Sequence, residues 1–368
     1  MMVEDHAYSV TVSPDHQHAN GEIDIASLHA QDSTGLLDQI DRAVVWDIPL
    51  TTPFRGITRR DGVLLHGPGG WGEVAPFWDY GSEASAPWLA AGLSQALGRA
   101  FLPRYRETIA VNVTVPEVGA EDAAEMVRSS GARTAKVKVS GRPEQRAADL
   151  ERLEAVRSAV GRAGKVRIDV NGAWDVDTAR ENLPRMDRAA GGLEYVEQPC
   201  ATVYDLADLR RAVDVPIAAD ESIRLSANPL EIVHRRAADV AILKVAPLGG
   251  VHRALDMAER LGLPTVVSSA LDTSVGIMAG ATLAFSLPSL NHACGLGTTY
   301  LLTQDVADPS VRPSNGTLRL DAAAPVSERL LDEVKAGPYL TKHWQTRLLH
   351  LAGALHARRQ REARDLSR

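Results

Sequence analysis

Cysteine is nearly absent from this chain: Cys200 and Cys294 are the only two in 368 residues. Two such residues supply neither a disulfide framework nor the paired spacing of a zinc site, and they read as small buried hydrophobes in a reducing compartment. No stretch approaches the ~18 consecutive apolar residues of a membrane span. The N-terminus also lacks the basic and apolar regions of a secretory signal. A cytoplasmic protein is therefore expected. Positive charge is in short supply as well, with 40 Lys+Arg against 47 Asp+Glu and a formal charge of −7; a nucleic-acid surface is basic, so no nucleic-acid or membrane partner is expected. Lysine is scarcer still, at six of those 40 residues. Wherever a positive charge suffices the chain uses Arg, which keeps its proton, whereas Lys loses its proton readily when crowded or desolvated.

Two of the six lysines stand together in Thr134-Ala135-Lys136-Val137-Lys138-Val139-Ser140. Alternating β-branched residues make this a strand, and a side-chain period of two puts Lys136 and Lys138 on one face. Adjacent ammonium groups repel, so the pair marks either a solvated edge strand or a site that needs an amine able to be neutral.

The remainder has the composition of a globular protein, 45% hydrophobic and 24% charged. Residues 1–35 are polar and aperiodic, carrying His6, His16 and His18 at a spacing that suits no regular element, and read as a mobile extension. Residues 36–107 read as an α+β cap: strands 43–50 and 63–66 with a turn at Arg60-Asp61-Gly62, a third strand in 68–77 reached through a Gly-rich turn, then a helix over 85–102. The segment 51–60 is either a hairpin connection or an acid-recognising lid with Arg55 beside Phe54 at its tip.

Over 108–299 short apolar strands alternate with helices. Strands are expected at 109–113, 135–139, 166–170, 193–196, 217–219, 240–245, 265–268 and, poorly defined, near 292–295. Eight parallel strands with crossover helices describe an α/β TIM-type barrel. A doubly wound open sheet is disfavoured because no Gly-x-Gly-x-x-Gly turn follows the first strand. Residues 300–368 return toward the cap and end in a basic, helical-looking tail.

Active-site residues of such barrels sit at the C-terminal strand ends. Here those ends carry Lys138, Asp169 (with Asn171), Glu197, Asp220 and Lys244 in order, separated by 31, 28, 23 and 24 residues. Each interval is one βα unit. Three carboxylates sharing an apolar mouth demand a cation. Oxygen donors without Cys or His point to Mg²⁺ rather than zinc. An amine on either side of a metal-held carboxylate suits removal of the proton next to that carboxylate.

The set Lys136-Val137-Lys138, Asp169-x-Asn171, Glu197-Gln198-Pro199, Asp220-Glu221-Ser222 and Lys244 resembles the muconate-lactonizing branch of the enolase superfamily, over roughly residues 36–334. The segments 267–276 and 292–298, with the cap loop 53–57, resemble the o-succinylbenzoate synthase family. That resemblance implies a Mg²⁺-dependent syn-dehydration of 2-succinyl-6-hydroxy-2,4-cyclohexadiene-1-carboxylate to 2-succinylbenzoate in menaquinone biosynthesis. It implies Asp169, Glu197 and Asp220 as metal ligands and Lys138 as the group that takes the α-proton and returns it to the departing hydroxyl. Lys136 would depress the Lys138 pKa and lie near the substrate carboxylate, and Lys244 would be a cation on the opposite ring face. Ser269 and the backbone at Gly295 and Gly297 would lie near the succinyl end, and Arg55 at the cap tip. The N-terminal extension and the Arg-rich tail fall outside the resemblance. The alternative within the fold is an N-acylamino-acid racemase or dipeptide epimerase, which would use the same two lysines. A dipeptide epimerase is expected to carry an acid after the eighth strand, where this chain reads Gly295-Leu296-Gly297-Thr298. A non-catalytic binding barrel has no use for two opposed amines. The partner expected is a small carboxylate, and a monomer is compatible with the sequence.

Overall fold

The computed structural model describes residues 21–319 and 325–366. Three antiparallel strands, β1 (Arg42–Phe54), β2 (Ile57–Gly67) and β3 (Gly70–Val74), form the cap sheet. Their period-two pattern gives the sheet two buried faces. Ala43, Val45, Val63 and Leu65 pack under helix Ser82–Ala96 and the long C-terminal helix Pro338–Leu366, joined there by Trp88, Trp344 and Leu348. Val44, Trp46, Ile48 and Leu64 face the other way, against Val275, Leu302 and Val306. The cap is thus pinned between the barrel and the chain's own C-terminal helix.

The β1–β2 turn falls at Arg55-Gly56 rather than at Arg60-Asp61-Gly62, which lie inside β2. Both turn residues have positive φ (50° and 77°), as a two-residue hairpin turn requires. Gly62 is a packing glycine instead: a Cβ there would come within 2.7 Å of the Trp46 ring and of Ala75.

A further difference concerns the N-terminal segment. The expected extension 1–35 does not hold as a unit. Its first 20 residues, with His6, His16 and His18, lie outside the described residues, whereas Glu22 bridges Val44 and helix Ile25–Gln31 buries Leu28 in the cap core. Asp24 caps that helix by accepting from the Ser27 N–H at 3.2 Å.

The second unit is a parallel barrel. β5 (Val113–Val115), β6 (Thr134–Lys138), β7 (Lys165–Asp169), β8 (Tyr195–Glu197), β9 (Ile217–Ala219), β10 (Val240–Lys244) and β11 (Thr265–Ser268) pair in sequence order. Cys294 and Gly295 complete the ring, bridging in parallel to Val111 and Ser268. The eighth stave is therefore reduced to bridges. The expected first strand 109–113 is divided: β4 (Thr108–Ala110) pairs antiparallel with β12 (Thr317–Arg319), and the barrel stave begins later, at Val113. Tyr195, Ala218, Val240, Ile242 and Val266 fill the barrel interior below the site. The outward face of the strands, with Val137, Ile168, Val196 and Ile217, packs under the helices.

Candidate active site

In-register parallel pairing sets the site. Lys138 is opposite Asp169, Asp169 opposite Glu197, and Lys244 opposite Ser268. Each is the last residue of its strand, so their side chains rise together at the barrel mouth. Asp169, Glu197 and Asp220 are at most 1% exposed. Lys136, Lys138 and Lys244 line one cavity of about 40 Å³, together with Phe54, Phe77, Thr114 and Ser269. Neither Lys138 nor Lys244 turns outward, and β6 and β10 are opposed staves, so the two amines enter from opposite sides.

The ion pairs knit amines to carboxylates. Lys136 Nζ lies 2.8 Å from Asp169 Oδ2 and 2.5 Å from Glu197 Oε1. Lys138 Nζ donates to the same Asp169 Oδ2 at 2.5 Å and to Asn171 Oδ1 at 2.6 Å. Lys244 Nζ donates to Asp220 Oδ2 at 2.5 Å, while Arg224 Nε holds Asp220 Oδ1 at 3.0 Å. Arg224 reaches Asp220 because the short helix Glu221–Arg224 begins beside it and presents the fourth residue on the same face. Gln198 fixes the neighbouring backbone: its Oε1 accepts from the N–H groups of Asp220 and Ser222, and its Nε2 donates to Cys200 O and Ser222 Oγ.

These contacts separate the protonation behaviour of like groups. Burial and then the Lys136 charge bring Lys138 below its ordinary value despite Asp169. Burial works against the Lys136 charge too, but Asp169 and Glu197 outweigh it and hold Lys136 protonated. Among the carboxylates, burial and the Asp169 charge lift Glu197 to about 7. Burial opposes ionisation of Asp220 as well, yet Lys244 and Arg224 bring it down to about 2.

Among the described residues, no three acidic, histidine or cysteine side chains already converge as a coordination sphere, and Asp169 and Asp220 turn oxygens onto lysine Nζ. The donors nonetheless fit a hard divalent cation: three carboxylates on adjacent staves, with Glu197 Oε2 buried and unpartnered.

The other expected residues divide. Ser269 lines the cavity, its hydroxyl bonded to Gly295 O at 2.7 Å and to Thr298 Oγ1 at 2.8 Å. Arg55 lines it from the cap, its guanidinium 4.6 Å from the Phe77 ring centre. Gly295 and Gly297 do not line the cavity. Gly295 is where the barrel closes, and a Cβ there would come within 2.5 Å of Ser268 Oγ. Sequence reasoning missed Arg224, whose four-residue offset from Asp220 was a readable signal. It also missed Tyr80 of the cap, whose hydroxyl accepts from Arg224 Nη1 and Arg55 Nη2 and for which no local signal exists.

With this geometry in hand, similarity to known proteins decides the family. An enolase C-terminal domain-like model matches residues 119–325, and an enolase N-terminal domain-like model matches 45–96. The o-succinylbenzoate synthase of Thermobifida fusca is 54% identical over 304 residues, 82% of this chain and 93% of that protein. The chain belongs to the o-succinylbenzoate synthase family of the enolase superfamily. The family's Mycobacterium ulcerans member is 47% identical over 85% of this chain and 94% of its own length. Two solved structures that the chain resembles are more distant. The L-Ala-D/L-Glu epimerase of Bacillus subtilis has a TM-score of 0.65 at 26% identity, covering 77% of this chain and 96% of that one. The muconate lactonizing enzyme of Pseudomonas fluorescens has a TM-score of 0.68 at 23% identity over 80% of this chain and 97% of that one, which establishes the shared fold.

Proposed function

We propose that this protein is a hydro-lyase that converts 2-succinyl-6-hydroxy-2,4-cyclohexadiene-1-carboxylate to 2-succinylbenzoate. The observation that carries this reading is 54% identity to an o-succinylbenzoate synthase over four-fifths of the chain, with Lys138 and Lys244 entering one cavity from opposed strands. Asp169, Glu197 and Asp220 would hold Mg²⁺, which when bound supplies positive charge to a substrate carboxylate.

The chain's own residues then divide the work. Lys138, depressed by burial and by Lys136, takes the ring proton next to the carboxylate as a neutral amine. The electron pair of that C–H bond becomes the new ring double bond. The C–O bond to the hydroxyl breaks with its pair on oxygen, and the proton on Lys138 goes to that oxygen, releasing water from the same ring face. Lys244 stays a cation on the other face, opposite the charge that develops on the carboxylate. Phe54, 5.4 Å from Lys138 Nζ, and Phe77 wall the site against water.

N-acylamino-acid racemisation would draw on the same two lysines. Assaying the purified protein with the cyclohexadiene substrate beside an N-succinyl amino acid tests both readings: rapid dehydration, lost with EDTA and restored by Mg²⁺, is expected. Racemisation without dehydration would overturn the proposal.

A further inference from the structure

A second cavity, of about 370 Å³, opens at the seam between cap and barrel. It is walled by helix Ser82–Ala96, the C-terminal helix, Gly249 and the start of helix Val251–Leu261, which carries His252 and Arg253. It shares no lining residue with the barrel mouth. Its floor is apolar, with Leu36, Leu93 and Leu355, and its rim carries Arg99, Arg253, Arg358 and Arg359.

The charge there is unbalanced. Glu362 accepts from Arg253 Nη2 at 2.5 Å and from Arg358 Nε at 3.1 Å, so one carboxylate serves two guanidinium groups. Among the described residues no acidic side chain pairs with Arg99 or Arg359. Burial, followed by repulsion from Arg253 and Arg99, pushes Arg359 below its ordinary pKa. Asp256 also acts on Arg253 and Glu362 on Arg359, yet four guanidinium groups at one opening, two of them without an ion-pair partner, are unusual in a chain whose formal charge is −7. Like charges gathered without counter-charge cost stability, and an anion between them removes that cost.

We propose that this cavity binds a small organic anion with an apolar body, an aromatic or alicyclic carboxylate, held by Arg99 and Arg359 over the leucine floor. Guanidinium groups match carboxylate geometry through paired N–H donors. The cavity volume falls within the usual range for a small-molecule site, about 300–1,000 Å³. The leucines distinguish this ligand from an inorganic anion, which would leave the apolar floor uncovered.

The test is calorimetric titration of the full chain, with Mg²⁺ and at low salt, using 2-naphthoate, 2-naphthamide and inorganic phosphate. The expected result is saturable one-to-one binding of 2-naphthoate, at least tenfold tighter than either of the others. The double variant Arg99→Ala/Arg359→Ala should weaken it at least tenfold while keeping the wild-type circular dichroism spectrum. Arg128→Ala/Arg211→Ala, with the same change in net charge elsewhere on the surface, should leave it unchanged. The proposal is overturned by no binding of 2-naphthoate at millimolar concentration, by equal binding of phosphate or 2-naphthamide, or by equal losses in the two double variants. Undiminished binding to Arg99→Ala/Arg359→Ala would also overturn it.

Discussion

Tyr80 of the cap accepts a hydrogen bond from Arg224 of the barrel at 2.9 Å. The same hydroxyl accepts from Arg55 Nη2 at 3.3 Å, and Arg224 in turn grips Asp220. A contact thus runs from the cap tip, through one phenol, to a carboxylate assigned to the metal. Tyr80→Phe keeps the ring against Phe77 and Trp88 and removes only the acceptor. Losing a hydrogen bond to a charged group costs about 1.5–3 kcal/mol. We expect kcat/KM to fall roughly tenfold or more while the melting temperature moves little. Unchanged steady-state kinetics would detach Tyr80 from the working site.

The two lysines carry the largest kinetic consequence. Lys138→Ala and Lys244→Ala should each lower kcat by at least about 10²–10⁴-fold, the usual range for a proton-transferring group. Lys138→Arg should be as inactive as Lys138→Ala, because a guanidinium does not give up its proton at working pH. Circular dichroism should be native in all three. Wild-type turnover by any of them would remove that lysine from the reaction.

Asp220→Asn keeps the shape of the side chain and deletes its charge. Mg²⁺ affinity, followed by titration calorimetry, should drop at least about tenfold, since a hard cation favours anionic oxygen. If affinity is unaltered, Asp220 is no ligand and its ties to Lys244 and Arg224 are structural only.

A pH effect on stability is expected at the cap–barrel joint. Glu73 of β3 accepts from the Thr273 and Gly276 N–H groups and from the Thr273 hydroxyl, yet burial and the neighbouring Asp272 charge raise it from 4.5 to about 8. The folded protein therefore holds this proton more tightly than the unfolded chain does. The stability it contributes is complete below about pH 4.5 and is lost as pH rises through about 8. Urea denaturation at pH 5.5 and 8.5 should show a stability decrease that is smaller in Glu73→Gln. An equal decrease in both proteins would place the pH dependence elsewhere.

Some of this is legible in the sequence alone. The interval of one βα unit between Lys138, Asp169, Glu197, Asp220 and Lys244 identifies the barrel and its functional end, because a repeating strand–helix unit places equivalent positions at equivalent heights. The paired lysines of β6 were legible for the same local reason, a side-chain period of two.

Other features depend on contacts that no local pattern encodes. The sequence Arg60-Asp61-Gly62 has turn composition, yet it lies within a strand because Trp46 and Ala75 leave room there for nothing larger than a hydrogen. The cap residues Tyr80 and Phe77 join a site whose carboxylates lie 89 or more residues further along. The Arg99–Arg359 opening exists only because the C-terminal helix folds back over the cap. The alternation of strand and helix and the chemistry at the ends of the second to sixth staves were determined by the chain itself, since they follow from short-range periodicity. The side chains that meet across the cap–barrel seam were decided by tertiary packing, which alone brings distant segments within bonding distance.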